Sequence, residues 1–256
     1  MTILEPAPTI TYQTDYLILT RGEEMPSALH AIFGGGAVAS FNVEPELPDG
    51  LNFTNGTIFG TPTVNTSLVQ YNITAINNGG SDYFLLNITI LEPVAILDVE
   101  TNYFELTRSE TEMNLTLNNT GGMVANWAVY PDLPDGLILG NGTITGVANV
   151  NSSLATYEIF ANNSGGSSSI LINIKILEPA ANISYTTTQF TLINGQDIFK
   201  VSPVLLGGNP VTWEFEPELP DGITFSNGVF SGVPAENLST TTYTVWANNS
   251  GGSSVA

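Results

Sequence analysis

The sequence has no cysteine, very few basic residues and no long apolar run. Without cysteine, the chain cannot form disulfide bonds, thiolate nucleophiles or cysteine-based metal sites. Four lysines and arginines stand against 24 aspartates and glutamates, which gives a formal net charge of −20. Because nucleic-acid binding depends on Lys and Arg contacts with phosphates, this balance predicts that no nucleic acid is a partner. The same charge repels an anionic membrane surface.

The longest apolar stretch, residues 83–97, is interrupted by Asn87, Glu92 and Pro93. A transmembrane helix needs about 20 predominantly apolar residues, so we expect no membrane insertion. Residues 1–6 contain no basic residue and no long apolar core, so they do not resemble a signal peptide. Hydrophobic residues make up 42% of the chain and charged residues 11%, which predicts a folded protein rather than an acidic disordered chain.

A repeat with a period of 86 residues organises the chain. The tetrapeptide Leu-Pro-Asp-Gly begins at positions 47, 133 and 219. Asn-Gly at 55, 141 and 227 and Gly-Gly at 79, 165 and 251 keep the same register. Two aromatic positions follow the period as well: Phe41, Trp127 and Trp213, and Tyr71, Tyr157 and Tyr243. Self-similarity at a fixed period is the signature of a tandem array.

Each copy is predicted to be all-β. Residues 157–161 and 243–247 place aromatic and β-branched residues at every second position, as half-buried strands do. The Asn-Gly dipeptides predict tight hairpins, and Pro-Asp-Gly predicts a turn with its glycine in the left-handed region. About seven short strands in each copy predict three tandem immunoglobulin-like Greek-key β-sandwich domains. Their predicted boundaries are residues 5–92, 93–178 and 179–256.

The third copy has no counterpart of residues 171–177, because Ala256 aligns with Ile170. That segment is the predicted closing strand of the second domain, so we expect an open groove and an exposed sheet edge in the third. Two explanations are open. Either the sequence is a window of a longer array, or a neighbouring subunit donates a strand to the groove. Residues 1–4 align with the end of such a strand but are too few to replace it.

Four short motifs follow one another in every copy: Leu-Pro-Asp-Gly-(Leu/Ile), Asn-Gly-x-(Ile/Phe)-x-Gly, Tyr-x-(Ile/Val)-x-Ala-x-Asn and Gly-Gly-Ser. With the aromatic residue that precedes them, they resemble the putative-Ig domains, which are cadherin-like sandwiches repeated in very large bacterial and archaeal surface proteins. The resemblance covers essentially the whole chain and implies the sandwich fold. It implies no catalytic residues, since members of the family serve as stalks, adhesin arms, lattice subunits and enzyme appendages.

Sequons of the form Asn-x-Ser/Thr are frequent, because 13 of the 26 asparagines head one. We predict N-linked glycans, which require an exported protein. The alternative is that these asparagines simply suit turns and strand faces. The candidate glycosylation sites are Asn65, Asn151 and Asn237, which fall in the same loop of each copy, and Asn55, Asn141, Asn162 and Asn248.

Acidic residues cluster beside the Leu-Pro-Asp-Gly loops and at the junctions between copies. Glu44, Glu46 and Asp49 fall within six residues, and Glu92 and Glu178 close the first two copies. Together these carboxylates are candidate ligands for Ca2+, which takes oxygen ligands. The alternative is a solvated acidic loop, since the chain lacks the Asp-x-Asn-Asp linker of cadherin-type calcium sites. No other cofactor is predicted.

No catalytic set can be assembled from the sequence. The single histidine, His30, has no equivalent in the other copies and is predicted to lie in a loop. The sequence therefore predicts a non-enzymatic structural module of an extracellular assembly at the cell surface: a surface layer, stalk or filament, with copies of itself or further repeats of the same protein as partners. The alternatives are an adhesin arm that binds a carbohydrate or a partner cell, and a spacer of a secreted enzyme. The acidic, cysteine-free and sequon-rich composition suits an archaeal surface protein.

Overall fold

The computed structural model describes residues 3–196 and 199–256, and these residues are all-β. The strands of the first repeat are β1 (Pro8–Thr11), β2 (Tyr16–Thr20), β3 (Leu29–His30), β4 (Ile32–Gly35), β5 (Ser40–Glu44), β6 (Leu51–Thr54), β7 (Thr57–Gly60), β8 (Thr66–Asn77) and β9 (Gly80–Leu91). Those of the second are β10 (Leu97–Asp98), β11 (Tyr103–Thr107), β12 (Glu112–Thr116), β13 (Asn118–Asn119), β14 (Asn126–Tyr130), β15 (Leu137–Gly140), β16 (Thr143–Val147), β17 (Ser152–Asn163) and β18 (Gly166–Leu177). Those of the third are β19 (Ala181–Ser184), β20 (Phe199–Val201), β21 (Val204–Gly207), β22 (Thr212–Glu216), β23 (Ile223–Ser226), β24 (Val229–Gly232), β25 (Thr244–Asn249) and β26 (Gly252–Val255).

The first two repeats have the same sheet topology. In the first, β2-β9-β8-β5 form a four-stranded sheet in which β2 runs parallel to β9 and the other neighbours are antiparallel. The other layer consists of β3-β7-β6 and the pair β1-β4. The second repeat has β11-β18-β17-β14, β12-β16-β15 and β10-β13 in the corresponding places. These crossovers confirm the predicted immunoglobulin-like Greek-key sandwich.

The predicted turns are in place. Asn55 and Gly56 connect β6 to β7 with φ of 47° and 76°, as a two-residue hairpin with positive φ at both positions requires. The asparagines of the other two hairpins have φ of 48° and 49°. Gly50, which ends the first Leu-Pro-Asp-Gly, has φ of 89°, a conformation that glycine adopts without steric cost.

The core forms from alternate residues of the long strands, because successive side chains of a strand point to opposite faces. Ile73, Leu86, Ile88 and Ile90 are at most 1% exposed in the first repeat. The corresponding buried residues of the second repeat are Ile159, Ile172, Ile174 and Ile176. Tyr71 and Tyr157 are also buried, at 3% and 5% exposure, as the sequence predicts for a late strand that faces the core.

The repeated aromatic before the Leu-Pro-Asp-Gly loop packs at the edge of the core. Phe41 lies edge-on to Phe53 with ring centroids 5.5 Å apart. Trp213 makes the same contact with Phe225 at 6.2 Å. Both are half-buried, so their role as a core aromatic of one sheet is confirmed.

The third repeat has a shorter sheet. Its strands are ordered β22-β25-β26, and β25 and β26 are six and four residues long where β17 and β18 each have twelve. The β25-β26 ladder ends at reciprocal hydrogen bonds of 2.8 and 2.9 Å between Val245 and Ala256. Residues 189–193 align with β2 and β11 but belong to no strand.

The chain separates into two compact units, which are residues 1–98, 117–128 and 160–170, and residues 99–116, 129–159 and 171–256. Because each unit includes part of the second repeat, the domain boundaries near residues 92 and 178 stay predictions. Among the residues that the structure describes, no helix is long and apolar enough to cross a membrane.

Candidate assembly joints and glycosylation sites

Arg21 and Glu92 form a two-point ion pair where the first repeat ends. Arg21 directly follows β2 and Glu92 directly follows its parallel neighbour β9, so both side chains emerge at the same end of the sheet. Arg21 Nε donates to Glu92 Oε1 at 3.1 Å and Nη2 donates to Oε2 at 2.7 Å. The Glu92 side chain is only 9% exposed. The hydrogen bond and the charge of Arg21 hold the pKa of Glu92 below its usual range, against the opposing effect of burial.

The second repeat ends in the same pair. Arg108 follows β11, Glu178 follows β18, and these strands are again parallel neighbours. Arg108 Nη2 donates to Glu178 Oε2 at 2.7 Å, and Nε lies 3.3 Å from both carboxylate oxygens. Hydrogen bonding to Glu178 raises the pKa of Arg108 above its ordinary value. Bidentate geometry makes these the strong kind of charge-assisted hydrogen bond.

The loop of the following repeat binds the other side of each linker. The Glu92 N–H donates to Ser164 Oγ at 2.8 Å, and Asn163 Nδ2 donates to the Pro93 carbonyl at 2.7 Å. Asn163 also orders its own turn, since its Oδ1 accepts the Gly165 N–H at 2.9 Å. A side chain at Gly165 would overlap the Glu92 carbonyl oxygen, so only glycine lets the loop approach this closely.

The same contacts recur at the second linker. The Glu178 N–H donates to Ser250 Oγ at 2.9 Å, and Asn249 Nδ2 donates to the Pro179 carbonyl at 2.8 Å. A side chain at Gly251 would overlap the Glu178 carbonyl oxygen. We call each of these two sets of contacting residues a joint. The first joint consists of Arg21, Glu92, Pro93 and residues 163–165. The second joint consists of Arg108, Glu178, Pro179 and residues 249–251. Each joint ties one Glu-Pro linker to an arginine on its N-terminal side and to an Asn-Ser-Gly loop on its C-terminal side.

The sequence reasoning missed the joints, although a signal was present. Leu-Thr-Arg occurs at residues 19–21 and again at 106–108, so two of only four basic residues share one position of the repeat. The third copy has Leu-Ile-Asn at residues 192–194 instead. A basic residue that recurs in an otherwise acidic chain indicates a fixed acidic partner, and here the partner is the glutamate of the linker.

The predicted calcium ligands are not brought together. Glu44 ends β5 and Glu46 and Asp49 lie exposed in the loop after it, whereas Glu92 and Glu178 are paired with arginines. Within residues 3–196 and 199–256, no three acidic or histidine side chains converge on a point that could hold a metal ion. At the joints, Arg21 and Arg108 supply a positive charge to Glu92 and Glu178, which disfavours the binding of a cation there.

His30 lies in β3, so the prediction that it occupies a loop is wrong. Its Nδ1 is 3.1 Å from Thr57 Oγ1 on the neighbouring strand β7. The contact is exposed, and it connects two strands of one sheet.

The three sequons at the equivalent loop position are exposed. Asn65 and Asn151 are exposed and immediately precede β8 and β17. Asn237 is exposed as well, and its Oδ1 accepts a hydrogen bond of 3.3 Å from Asn194 Nδ2, which leaves its own amide nitrogen as a donor. A glycan is attached through that amide nitrogen, so these loops suit modification.

The other candidate sequons differ in accessibility. Asn55 and Asn141 are exposed at the tips of the β6-β7 and β15-β16 hairpins. Asn162 and Asn248 lie within strands and are half-buried. Asn248 Nδ2 donates to Glu214 Oε1 at 3.1 Å, so a glycan at Asn248 would break this contact.

The described surface has shallow depressions, of which two bear on function. One of about 450 Å³ in the first repeat is lined by Phe33, Gly36, Val38, Phe41 and Asn55 among others. One of about 360 Å³ on the outer face of β22-β25-β26 is lined by Glu214, Phe215, Glu216, Trp246, Asn248 and Ser253. The tryptophan of the second depression is specific to the third repeat, since Thr74 and Phe160 stand at the equivalent positions.

Comparison with known proteins finds a family model that matches the first repeat. Residues 7–90 match the model described as "Putative Ig domain", which confirms for this repeat the resemblance found in the sequence. No curated protein matches the chain.

Solved structures of tandem immunoglobulin domains are similar to the whole chain at low identity. The I-band fragment I67–I69 of titin is 16% identical, with 99% of this chain and 97% of that chain covered and a TM-score of 0.43. Immunoglobulin domains 1–5 of Sidekick-1 are 16% identical, covering 100% and 58%, with a TM-score of 0.42. Extracellular domains 3–5 of Drosophila OTK are 15% identical, covering 99% and 98%, with a TM-score of 0.32.

Proposed function

We propose, from the match of residues 7–90 to the putative Ig domain model, that the chain is a non-enzymatic structural module of an extracellular assembly. The assembly is a surface layer, stalk or filament at the cell surface. The partners of the module are copies of itself or further repeats of the same protein. A family match alone does not decide function, because one fold carries many functions.

The joints carry this proposal. Among the contacts that recur with the period of the sequence are the two arginine–glutamate pairs and the two Asn-Ser-Gly loops that hold the linkers. These contacts lie where one repeat is followed by the next, so the chain repeats the groups that hold the segments between repeats. Fixed linkers are what a load-bearing or lattice-forming array needs, since a loose linker lets neighbouring domains move independently.

N-linked glycans at the accessible sequons are part of the proposal. Asn65, Asn151 and Asn237 recur in the same exposed loop although the residues around them differ. Glycans are bulky and solubilising surface groups. Together with the acidic surface they would keep arrays apart except where specific contacts form. An archaeal source fits this composition, and calcium is not part of the proposal.

Electron microscopy of source cells labelled with an antibody against this chain tests the function. We expect label along continuous fibres or over a regular lattice, and we expect preincubation with the purified chain to abolish it. Sparse label at cell contacts would instead indicate an adhesin. Label found only in the culture fluid, on a larger protein with enzymatic activity, would indicate a spacer of a secreted enzyme.

One observation favours the adhesin arm as the second candidate. The depression around Trp246 lies on the third repeat and combines an aromatic ring with two carboxylates and an amide. The indole ring offers an apolar surface within a mainly polar lining, so a ligand there would be held mostly by hydrogen bonds. Quenching of Trp246 fluorescence by a panel of surface oligosaccharides, compared with a Trp246→Phe variant, would support the adhesin arm over the lattice module.

A further inference from the structure

In the first repeat, the β6-β7 hairpin stops beside a strand that continues past its tip. The Ala31 N–H donates to the carbonyl of Gly56 at 2.9 Å, where the hairpin turns back. The same strand then continues as β4, which pairs with β1 on its other side. Backbone groups of alternate residues in a strand point to the same side, so Phe33 and Gly35 face the side that the hairpin occupies at Ala31.

The pairing with β1 confirms this direction. Phe33 lies opposite Ile10, and the Ile10 N–H donates to Asp82 Oδ2 at 3.0 Å rather than across to β4. Opposite residues of an antiparallel pair alternate between exchanging both backbone bonds and exchanging none. The N–H and C=O groups of Phe33 and Gly35 therefore point into the space beyond the hairpin tip. Among the described residues, β4 has no strand but β1 as its neighbour.

A depression of about 450 Å³ occupies this space. Its apolar lining comes from Phe33, Val38 and Phe41, and Asn55 borders it from the hairpin tip. The Phe33 ring contacts Phe41 with ring centroids 5.7 Å apart and is still 46% exposed. The depression thus combines an exposed aromatic face with unpaired backbone donors and acceptors. A sugar ring offers the matching surfaces, since it has C–H groups on its faces and hydroxyl groups at its edge.

Asn55 is placed to supply such a sugar. It heads the sequon Asn55-Gly56-Thr57, and its exposed side chain makes no hydrogen bond among the described residues. A Cβ at Gly56 would overlap the Phe33 ring, so the ring lies directly beside the attachment site. A group that is covalently anchored next to a site has a high effective concentration there, so a shallow site is sufficient to hold it.

We propose that this depression holds the first sugar of an N-linked glycan on Asn55. One face of the sugar packs on the Phe33 ring, and its hydroxyl groups bond to the free backbone groups of Phe33 and Gly35. The sugar thereby continues the hairpin as a further neighbour of β4 and covers an exposed strand edge. The site depends on the proposed function in one respect, because it requires the N-linked glycosylation proposed for the exposed sequons.

The second repeat has the sequon without the aromatic ring. Asn141 heads it at the equivalent hairpin tip, but Asn119 stands at the position of Phe33. The Asn119 side chain is bonded within its own surroundings, since Oδ1 accepts the Ile96 N–H at 3.0 Å and Nδ2 donates to the Gly122 carbonyl at 2.8 Å. A glycan on Asn141 therefore has no aromatic face at this position to pack on.

An Asn55→Asp variant, expressed in the source cells beside the unaltered chain, tests the site. Aspartate removes the sequon and tolerates the φ of 47° at this position. Amide hydrogen exchange at Phe33 and Gly35 should be about tenfold faster in the variant, because a hydrogen-bonded amide exchanges only on opening. Asn141→Asp makes the same chemical change in the same kind of turn and is the matched control. It should leave exchange at the Asn119 amide unchanged.

Phe33→Thr is the second variant, since threonine keeps the β propensity but removes the ring. In the glycosylated chain it should speed exchange at Gly35 while the glycan mass on the Asn55 peptide stays the same. In the Asn55→Asp background it should change that exchange little, because the sugar is already absent.

Glycan mass on Asn55 with equal exchange at Gly35 in the unaltered chain and in Asn55→Asp would overturn the site and leave the proposed glycosylation in place. A bare Asn55 in a chain with a glycan on Asn65 would do the same. Bare peptides at every sequon would overturn the site together with the proposed glycosylation.

Discussion

Arg21 and Glu92 are 71 residues apart in the sequence and are joined by two hydrogen bonds of 3.1 and 2.7 Å. The pair forms because the strands that precede these residues are parallel neighbours with the same end point. Arg108 and Glu178 repeat it at the next linker. The periodic sequence thus produces a periodic contact, in which the end of each of the first two closing strands is ion-paired to the end of its parallel neighbour.

Removal of one arginine should destabilise the adjacent sandwich. We expect Arg21→Ala to lower the free energy of unfolding by about 1–2 kcal/mol, between the values of exposed and buried ion pairs. The Glu92 side chain is nearly buried while Arg21 is one-third exposed, which places the pair between those limits. A double-mutant cycle with Glu92→Gln, followed by urea denaturation, measures the coupling directly.

The exposed pair between Lys175 and Glu105 is the matched control. Its Nζ–Oε2 distance is 2.9 Å, similar to that of the joint pairs, but both side chains are about 40% exposed. Lys175→Ala should therefore cost at most about 0.2–1 kcal/mol. An equal decrease in the free energy of unfolding for Arg21→Ala and Lys175→Ala would show that the burial of Glu92 does not strengthen its ion pair.

The features that repeat in the sequence and depend on local geometry could be predicted from it. Asn55 and Gly56 require a hairpin with positive φ wherever they stand between short strands, and the structure has it. The role of Glu92 could not be predicted in this way. Its partner is fixed by the pairing of two strands distant in sequence, and from composition alone the glutamate looked like a calcium ligand.

The burial of core side chains could be predicted, because it follows from the alternation of residues along a single strand. The alternation along β8 and β9 fixes which side chains face inward, and Tyr71 and Ile88 are buried accordingly. How closely a loop of the next repeat approaches the linker depends on the absence of a side chain at Gly165. The Gly-Gly-Ser motif is typical of a flexible loop, but it does not indicate which surface the loop contacts.

The contribution of the Glu92 pair should vanish in acid. Arg21 lowers the pKa of Glu92 in the folded state below its ordinary value of 4.5. The carboxylate therefore stabilises the fold fully above about pH 4.5, and this stabilisation disappears as the pH falls through the lower folded value. We expect the difference in stability between the wild-type chain and Glu92→Gln to be largest near neutral pH and to shrink below pH 4.5. A difference that stays constant from pH 7 to pH 3 would contradict the assignment.

Alanine at the joint glycines should be more harmful than alanine elsewhere. Its Cβ would overlap the Glu92 carbonyl at position 165 and the Glu178 carbonyl at position 251. We expect Gly165→Ala to destabilise the chain by more than about 1 kcal/mol. Gly140 has open space around the position of a Cβ and is the control, for which alanine should be neutral or slightly stabilising. Thermal unfolding of the two variants distinguishes these results.

Glycan occupancy should follow side-chain accessibility. In protein from its natural source, peptides that contain Asn65, Asn151 and Asn237 should carry glycan mass, because these loops are exposed. Asn248 should be bare, since it is half-buried within a strand and its amide nitrogen donates to Glu214 and Thr212 on the neighbouring strand. Mass spectrometry of glycosidase-treated and untreated peptides decides this. Bare peptides at all three loop positions would remove glycosylation from the proposed function.

Truncation of one leucine in each repeat measures how much the closing strand contributes. Leu19, Leu106 and Leu192 are equivalent, and within the part of the chain that the structure describes a closing strand covers only the first two. Leu19→Ala and Leu106→Ala should each cost about 2–5 kcal/mol, the usual range for a buried leucine. Leu192→Ala should cost much less, because its side chain is already one-third exposed. Site-resolved hydrogen exchange reports each repeat separately, and a loss at Leu192 as large as that at Leu106 would mean that Leu192 is covered in solution.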